Sequence, residues 1–209
     1  MINKKNHHLL TLKTLAKRQT REQTRQRILA KADELFRHFG IAKTTVADIA
    51  AGLSMSPANI YKSFASKDAI IQAVAEQELA ELIKSIEAAV SSSPGALARI
   101  EALALAIFHW HRELLRQESQ LFQLVLFANA QHWDCTRDFK AFLLQAIIKL
   151  IESGVQSGEF HLSDSKATAR VLMDCLAVVI EPTASPDPDN KLTEKRVRAL
   201  VGFLGKALR

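Results

Sequence analysis

The sequence predicts an all-α protein. Apolar residues recur every three or four positions along much of the 209-residue chain, which is the spacing of an amphipathic helix. Short runs that contain Ser, Asn, Pro or Gly interrupt this pattern, as is typical of the ends of helices. The predicted breaks lie at 91–95, 117–119, 129–133, Gly158 and 182–190. About five helical segments should therefore follow residue 66.

The first predicted helix ends at Gly40, because glycine readily takes the left-handed conformation that follows many helix C-termini. Its apolar face consists of Ile28, Leu29, Ala32, Leu35, Phe36 and Phe39. A basic segment overlaps its start, since residues 1–31 hold many Lys and Arg side chains against a single acid, Glu22. We predict that residues 1–21 form a basic arm.

A second helix is predicted from Thr45 to about Leu53. Thr45 and Asp48 have the spacing of a capping box, in which each residue hydrogen-bonds the backbone of the other. The apolar positions then follow the i, i+3, i+4 and i+7 spacing of one helical face: Val46, Ile49, Ala50 and Leu53.

A tight turn at Ser54 and Met55 leads into a short third helix. Ser56 can cap this helix through its side chain, and Pro57 suits the first helical position, where its missing N–H costs nothing. Two short helices joined in this way at 45–64 are typical of a helix-turn-helix, whose second helix enters the major groove of DNA.

The third helix separates buried from exposed residues. Ile60 and Phe64 should face inward, which leaves an outer surface for the groove of Ser56, Pro57, Ala58, Asn59, Tyr61 and Lys62. Ser66 should cap the next helix, at 66–91, and the N–H groups at its start together with the Lys67 ammonium suit a phosphate.

The charge distribution agrees with DNA binding. Of the 28 Lys and Arg and the 22 Asp and Glu, residues 1–70 hold 13 basic and 5 acidic side chains, so this part contributes +8 and residues 71–209 contribute −2 to the formal net charge of +6. A basic N-terminal third is typical of phosphate binding. The alternative is a solvated basic tail without a partner.

These residues resemble the TetR-like (tetracycline repressor) family of bacterial one-component transcriptional regulators, over roughly residues 22 to 82. The elements that carry the resemblance are Leu35-Phe36 before Phe39-Gly40, Thr44-Thr45, Asp48-Ile49-Ala50, and Ile60-Tyr61 followed by Phe64, Ser66 and Lys67. One departure is visible. The family usually has glycine in the turn, where this chain has Ser54, with Gly52 two residues earlier.

The resemblance implies an N-terminal three-helix helix-turn-helix DNA-binding domain at 22–82, followed by a helical ligand-binding and dimerisation domain at 83–209. It also implies that Tyr61 and Lys67 hold phosphates while Asn59 and Lys62 lie nearer the base edges. Thr44 and Thr45 complete the predicted set of DNA-binding residues.

The last two predicted helices are candidates for a subunit interface. Residues 164–181 are apolar on much of the helix circumference, and a second helix carries a stripe of Val197, Leu200, Val201, Leu204 and Leu208. The family resemblance implies a homodimer in which 164–181 and 193–208 pack against the same segments of another subunit. The alternative is that these helices only close the core of one subunit.

Aromatic residues between 95 and 160 are candidates for an effector site. Aromatic side chains with a few polar groups can line a pocket for a small apolar or amphipathic ligand, and in the family this region binds the effector. The candidate residues are Phe108, Trp110, His111, Phe122, Phe127 and Trp133. The alternative is a plain aromatic core.

The sequence argues against several other classes. It has no Gly-rich phosphate loop and no hydrolase or metalloprotease motif, so we expect no enzyme and no cofactor. His132 and Cys135 have a ligand spacing but are only two, so no metal is expected. No apolar run is long enough for a membrane span and the start has no signal-peptide core, so we expect a cytoplasmic protein in which Cys135 and Cys175 are buried thiols.

The sequence therefore predicts a ligand-responsive repressor that binds a palindromic operator as a homodimer. Two-fold pairing doubles the few base contacts that one short helix offers. The alternative is a DNA-binding architectural or activator protein without an effector switch.

Overall fold

A computed structural model describes residues 3–117, 128, 133–181 and 192–209. These residues are helical and contain no β-strand, which confirms the predicted all-α class. The helices are α1 (Asn3–Phe39), α2 (Val46–Gly52), α3 (Pro57–Tyr61), α4 (Lys67–Ser91), α5 (Ala96–Gln117), α6 (Asp134–Gln156), α7 (Ser165–Cys175), α8 (Ala177–Ile180) and α9 (Glu194–Leu208).

The chain divides into two compact units, at 1–74 and 75–209, and the division falls within α4. The domain boundary predicted from the sequence, after residue 82, lies further along the same helix. Each unit has its own buried residues.

The first unit consists of α1, α2, α3 and the start of α4. The α1 helix is longer than its apolar stripe predicts, because no Gly or Pro interrupts residues 3–39. Residues 3–21 are therefore helical and continuous with the rest of α1. As predicted, α1 ends before Gly40, which has a φ of 84°. The core of this unit includes Ile28, Ala32, Phe36, Ile49, Ile60 and Ile70.

The second unit is arranged around α5, which packs against α6, α8 and α9, while α6 packs against α7. Small residues allow close approach at two points. A Cβ at Gly205 of α9 would lie 2.6 Å from a methyl carbon of Leu97 in α5, and a Cβ at Gly154 would lie 2.2 Å from the Phe160 ring. The fully buried side chains include Leu82, Ile86, Ile100, Leu103, Ile107 and Phe160.

The turn after α6 is tied to the start of α5. Gly158 has a φ of 75°, as the predicted break there requires. The neighbouring Glu159 carboxylate accepts hydrogen bonds from the N–H groups of Ala96 at 2.6 Å and Leu97 at 3.0 Å. A carboxylate at a helix N-terminus satisfies donors that have no partner within the helix.

One of the other predicted breaks is present, and the remaining three lie mostly or wholly outside the described residues. Helix α4 ends at Ser91 and α5 begins at Ala96, so the break at 91–95 is confirmed. Most of 117–119 and 129–133, and all of 182–190, fall outside the described residues. One helix was predicted over 164–181, but Leu176, with φ −84° and ψ 0°, divides this segment into α7 and α8.

Candidate nucleic-acid interface

The start of α2 is capped as the sequence predicts. The Thr45 hydroxyl oxygen accepts from the Asp48 N–H at 3.1 Å, and the Asp48 carboxylate accepts from the Thr45 N–H at 2.8 Å. The Thr45 hydroxyl also donates to this carboxylate at 2.7 Å. These bonds favour the ionised acid, so the side-chain and backbone donors of Thr45 lower the pKa of Asp48.

The turn between α2 and α3 forms with serine in a left-handed conformation. Ser54 has a φ of 55°, and it is the only residue other than glycine with a positive φ among the described residues. The Met55 N–H donates to the Ala50 carbonyl at 2.9 Å, which closes the turn. Gly52 has a separate role, since a Cβ there would lie 2.9 Å from the Lys31 side chain. Ser54 therefore takes the position where the family has glycine, at a cost in backbone strain.

The start of α3 differs from the prediction in one respect. Pro57 is the first helical residue, as expected, but the predicted side-chain cap by Ser56 is wrong. The Asn59 N–H, which the hydroxyl would bind, donates instead to the Ser56 carbonyl at 2.9 Å. This tight turn leaves the Ser56 hydroxyl outside the cap of α3.

The structure brings the residues predicted for the groove onto one exposed surface, and Ile60 and Phe64 are buried beneath it. The exposed residues are Ser56, Pro57, Ala58, Asn59, Tyr61 and Lys62. Two of them are joined, because the Lys62 ammonium donates to Asn59 Oδ1 at 3.0 Å. We call these six residues the α3 surface.

Two arginines of α1 hold the C-terminal end of α3, a role that charge counting did not identify. Arg25 Nη1 donates to the Ser63 carbonyl at 3.3 Å, and the Arg25 guanidinium lies 4.1 Å from the Phe64 ring centroid. Arg21 Nη2 lies 3.5 Å from the Lys62 carbonyl, to which it donates. Both arginines continue the helical spacing of the apolar stripe of α1 toward its N-terminus, and this spacing was the available sequence signal.

Thr44 and Lys67 lie around the loop after α1, apart from the exposed α3 surface. The Thr44 side chain is 2% exposed, and its hydroxyl donates to the Gly40 carbonyl at 2.9 Å. The Lys67 ammonium donates to the Ile41 carbonyl at 2.5 Å. The predicted cap of α4 is present, since Ser66 Oγ accepts from the Ala69 N–H at 3.1 Å. The bonds of Thr44 and Lys67 fix the loop that connects α1 to α2.

The predicted effector residues are only partly described. Phe108 and His111 are buried on α5, Trp110 and Trp133 are half-buried, and Phe122 and Phe127 lie outside the described residues. Burial lowers the pKa of His111 to about 4, although a hydrogen bond to the Val179 backbone has the opposite effect. His111 is therefore neutral near pH 7 and links α5 to α8.

The segments predicted to form the subunit interface expose a different apolar set from the one that the stripe indicates. Val197, Val201 and Leu208 are buried in the core of the second unit, and Leu200 and Leu204 pack against that core. The large apolar side chains that α7, α8 and α9 leave exposed are Val171 at 61%, Val178 at 49% and Phe203 at 70%.

The two cysteines are free and half-buried, whereas the sequence predicted buried thiols. Burial, followed by the Glu76 carboxylate, raises the pKa of the Cys135 thiol. A raised pKa leaves less of the reactive thiolate at neutral pH.

Comparison with known proteins identifies the family. Residues 28–74 match the family model for bacterial regulatory proteins of the tetR family. Residues 96–201, half of the chain, match the tetracyclin repressor-like C-terminal domain. The chain belongs to the TetR family. Its relatives are transcriptional regulators, and this TetR-family chain has the helix-turn-helix of a DNA-binding regulator.

Solved structures share the fold of this TetR-family chain. A TetR-family regulator from Pectobacterium atrosepticum is 24% identical, with a TM-score of 0.68, over 92% of this chain and 95% of that one. A TetR/AcrR regulator from Thermobifida fusca is 22% identical, with a TM-score of 0.64, over 90% and 99%. RolR, solved with the ligand resorcinol, is 19% identical, with a TM-score of 0.63, over 91% and 89%. No curated protein sequence matches the chain.

Two features are absent from the part of the TetR-family chain that the structure describes. Within it, no helix combines the length and the apolar character that crossing a membrane requires. In the same residues, no group of three or more His, Cys, Asp or Glu side chains is placed to hold a metal ion.

Proposed function

We propose that this TetR-family regulator is a ligand-responsive repressor that binds a palindromic operator as a homodimer in the cytoplasm. The observation that carries this proposal is the α3 surface, in which four exposed residues of a short helix and its two exposed cap residues surround a buried apolar side. A short helix supported in this way is the element that enters the major groove in helix-turn-helix proteins.

Each predicted DNA-binding residue has a role in the proposal. Asn59 and Lys62 lie at base edges, with Ser56, Pro57 and Ala58 beside them near the start of α3. Tyr61 is exposed and binds a phosphate, whereas Thr45, whose hydroxyl and N–H both donate to Asp48, holds the start of α2 in place. Lys67 also binds a phosphate, because an ammonium bonded to one carbonyl keeps two further donors. Thr44 is buried and supports the loop from within.

A homodimer would cover the apolar side chains that α7, α8 and α9 leave exposed. Val171, Val178 and Phe203 occur in the two segments predicted for the interface, 164–181 and 193–208. Exposed apolar residues of this size favour burial against a second surface. A second copy of the chain also supplies the second α3 that a palindromic operator requires.

The proposed effector is a small apolar or amphipathic molecule bound among Phe108, Trp110, His111, Phe122, Phe127 and Trp133. RolR supports this assignment, because that protein was solved with resorcinol, a small aromatic compound. Helix α4 runs without interruption from the first unit into the second. A ligand that tilts α4 would change the spacing of the two α3 helices, and half-sites accept only spacings of about 34–36 Å or multiples of this distance.

Mapping of genomic binding sites tests the function. We expect the purified protein to protect a palindrome of two half-sites, and we expect a small aromatic or amphipathic compound to release it. A protein that binds a specific palindrome but responds to no compound in a broad panel would favour the architectural or activator function. Equal affinity for all duplexes would contradict sequence-specific regulation.

A further inference from the structure

Asn59 and Lys62 form a hydrogen-bonded pair on the α3 surface. The Lys62 ammonium donates to Asn59 Oδ1 at 3.0 Å, and both side chains are exposed. Lys62 is the C-terminal cap of α3 and follows Asn59 by three positions. Residues with this spacing lie on the same helical face.

The chemistry of an ammonium group fixes the orientation of the Asn59 amide. Lysine can only donate hydrogen bonds, so the amide must turn its oxygen toward Lys62 and its NH₂ group away. The pair therefore presents donors to an approaching ligand: the amide N–H groups and the two remaining N–H groups of the ammonium. One of the two lone pairs of its acceptor oxygen is already in use.

This donor pattern distinguishes among the four bases. An unpaired asparagine reads adenine with two bonds, in which its oxygen accepts from N6 and its NH₂ donates to N7. The Lys62 ammonium beside the Asn59 oxygen disfavours the first of these bonds, because it takes one of the two lone pairs and its positive charge repels the amino group at N6 of adenine. Guanine presents two neighbouring acceptors, N7 and O6, in the major groove, whereas cytosine presents a donor there and thymine a single acceptor beside a methyl group.

We propose that Asn59 and Lys62 act as one reading unit that selects guanine at a position of each operator half-site. This inference rests on the proposed DNA-reading function and specifies the base that the reader takes. The Lys62 backbone is held in place, because Arg21 donates to the Lys62 carbonyl and Arg25 to the next carbonyl, that of Ser63. A fixed backbone limits the positions that the ammonium reaches.

The experiment is selection of binding sites from a random duplex library, with the full-length protein and three variants. Asn59→Ala identifies the operator position that this unit reads. Lys62→Met keeps the length of the side chain but removes the donors, so it frees the oxygen of Asn59. Lys43→Met is the matched control, because Lys43 is an exposed lysine of the same unit on a different loop.

The unaltered protein should select guanine at the position whose preference Asn59→Ala weakens. Lys62→Met should shift this preference toward adenine, with a change in the ratio of the two affinities of about tenfold. Replacement of that guanine by 7-deazaguanine, which lacks the N7 acceptor, should weaken binding of the unaltered protein. Lys43→Met should leave the preference unchanged.

Other outcomes would overturn the inference. A preference for adenine in the unaltered protein, or the same preference after Lys62→Met, would show that Asn59 reads DNA without Lys62. If Asn59→Ala altered no position of a clearly selected operator, the pair would not read bases, while the proposed repressor function would stand. Selection of no sequence at all by the unaltered protein would contradict the function and the inference together.

Discussion

The guanidinium of Arg25 lies 4.1 Å from the centroid of the Phe64 ring, while Nη1 of the same group donates to the Ser63 carbonyl. A planar cation can stack on an aromatic face and bind a carbonyl at its edge. The carbonyls at a helix C-terminus have no partner within the helix, and a cation there also favours the helix dipole. Arg25 thus joins α1 to the C-terminal end of α3.

Replacement of Arg25 by alanine should loosen the end of α3 and weaken specific DNA binding. A stacked cation and one hydrogen bond together contribute on the order of 1–2 kcal/mol at a partly exposed site. The effect of Arg25→Lys should be smaller than that of Arg25→Ala, because lysine keeps the charge but loses the planar stack. Hydrogen exchange of residues 57–66 measures the effect, with exposed Arg27→Ala as the control. Equal exchange in Arg25→Ala and Arg27→Ala would disprove the role.

Ser54→Gly should stabilise the first unit. A left-handed conformation costs a residue with a Cβ about 1–2 kcal/mol, and glycine avoids this cost. Part of the resulting gain in stability is offset, because glycine has a larger conformational entropy in the unfolded chain. We expect a net gain of roughly 0.5–1 kcal/mol in chemical unfolding. Ala30→Gly, at an exposed position inside α1 of the same unit, should have the opposite sign, because glycine is a poor helix former. A loss of stability in Ser54→Gly would contradict the argument from strain.

Phe203→Glu combined with Val171→Glu should separate the subunits. Burial of two unpaired carboxylates in an apolar interface costs several kcal/mol, which a dimer of ordinary affinity does not tolerate. Light scattering should then give the mass of a monomer. Leu115→Glu is the control, since Leu115 is exposed on α5, outside the proposed interface. Leu200→Glu would be a poorer test because Leu200 packs against the core of its own unit. A dimeric double variant would place the interface elsewhere.

Stability of the second unit should fall on acidification because of His111. Its pKa is about 4 in the folded chain and 6.5 without burial, so the unfolded chain takes up the proton first as the pH falls. The neutral imidazole makes its full contribution to the free energy of unfolding above pH 6.5, and this contribution is lost progressively as the pH falls toward 4. The loss is on the order of 3 kcal/mol.

His111→Gln should make the free energy of unfolding less dependent on pH in this range, because glutamine can donate to the Val179 carbonyl but does not titrate. Unfolding can be followed by the fluorescence of Trp110 and Trp133, which both belong to the second unit. The control is exposed His161→Gln. An unchanged pH dependence in His111→Gln would exclude the buried imidazole as its origin.

Deletion of residues 2–19 should reduce the salt dependence of DNA binding and leave sequence preference intact. Each neutralised phosphate adds roughly 0.9 to the slope of log affinity against log salt, so two contacts per subunit would add about 3.6 for a dimer. Phosphate contacts position a protein without reading bases. Because residues 3–19 form the first half of α1, a second variant should keep the helix. In this second variant, glutamine replaces Lys4, Lys5, Lys13 and Lys17. An unchanged slope in both variants would show that this segment does not contact DNA.

Local signals in the sequence were sufficient to predict the helix-turn-helix. The capping box of Thr45 and Asp48, Pro57 at the start of α3 and Gly40 after α1 act between residues no more than four positions apart. Their geometry depends on the backbone alone, so the sequence specifies it directly. The exposure of Asn59, Tyr61 and Lys62 also follows from helical periodicity once Ile60 and Phe64 are recognised as apolar positions.

The tertiary structure alone decided the contacts between residues distant in the sequence. Arg25 meets Ser63 across 38 positions and Lys67 meets Ile41 across 26, and no periodic pattern specifies which side chains meet at such separations. The same holds for α9, whose apolar stripe did not specify which of its residues are buried in the core, such as Val197 and Val201, and which only pack against it, such as Leu200 and Leu204. An amphipathic pattern shows that one face of a helix is buried, but the packing of the helices decides which element covers that face. In α9 this packing leaves the Phe203 side chain exposed.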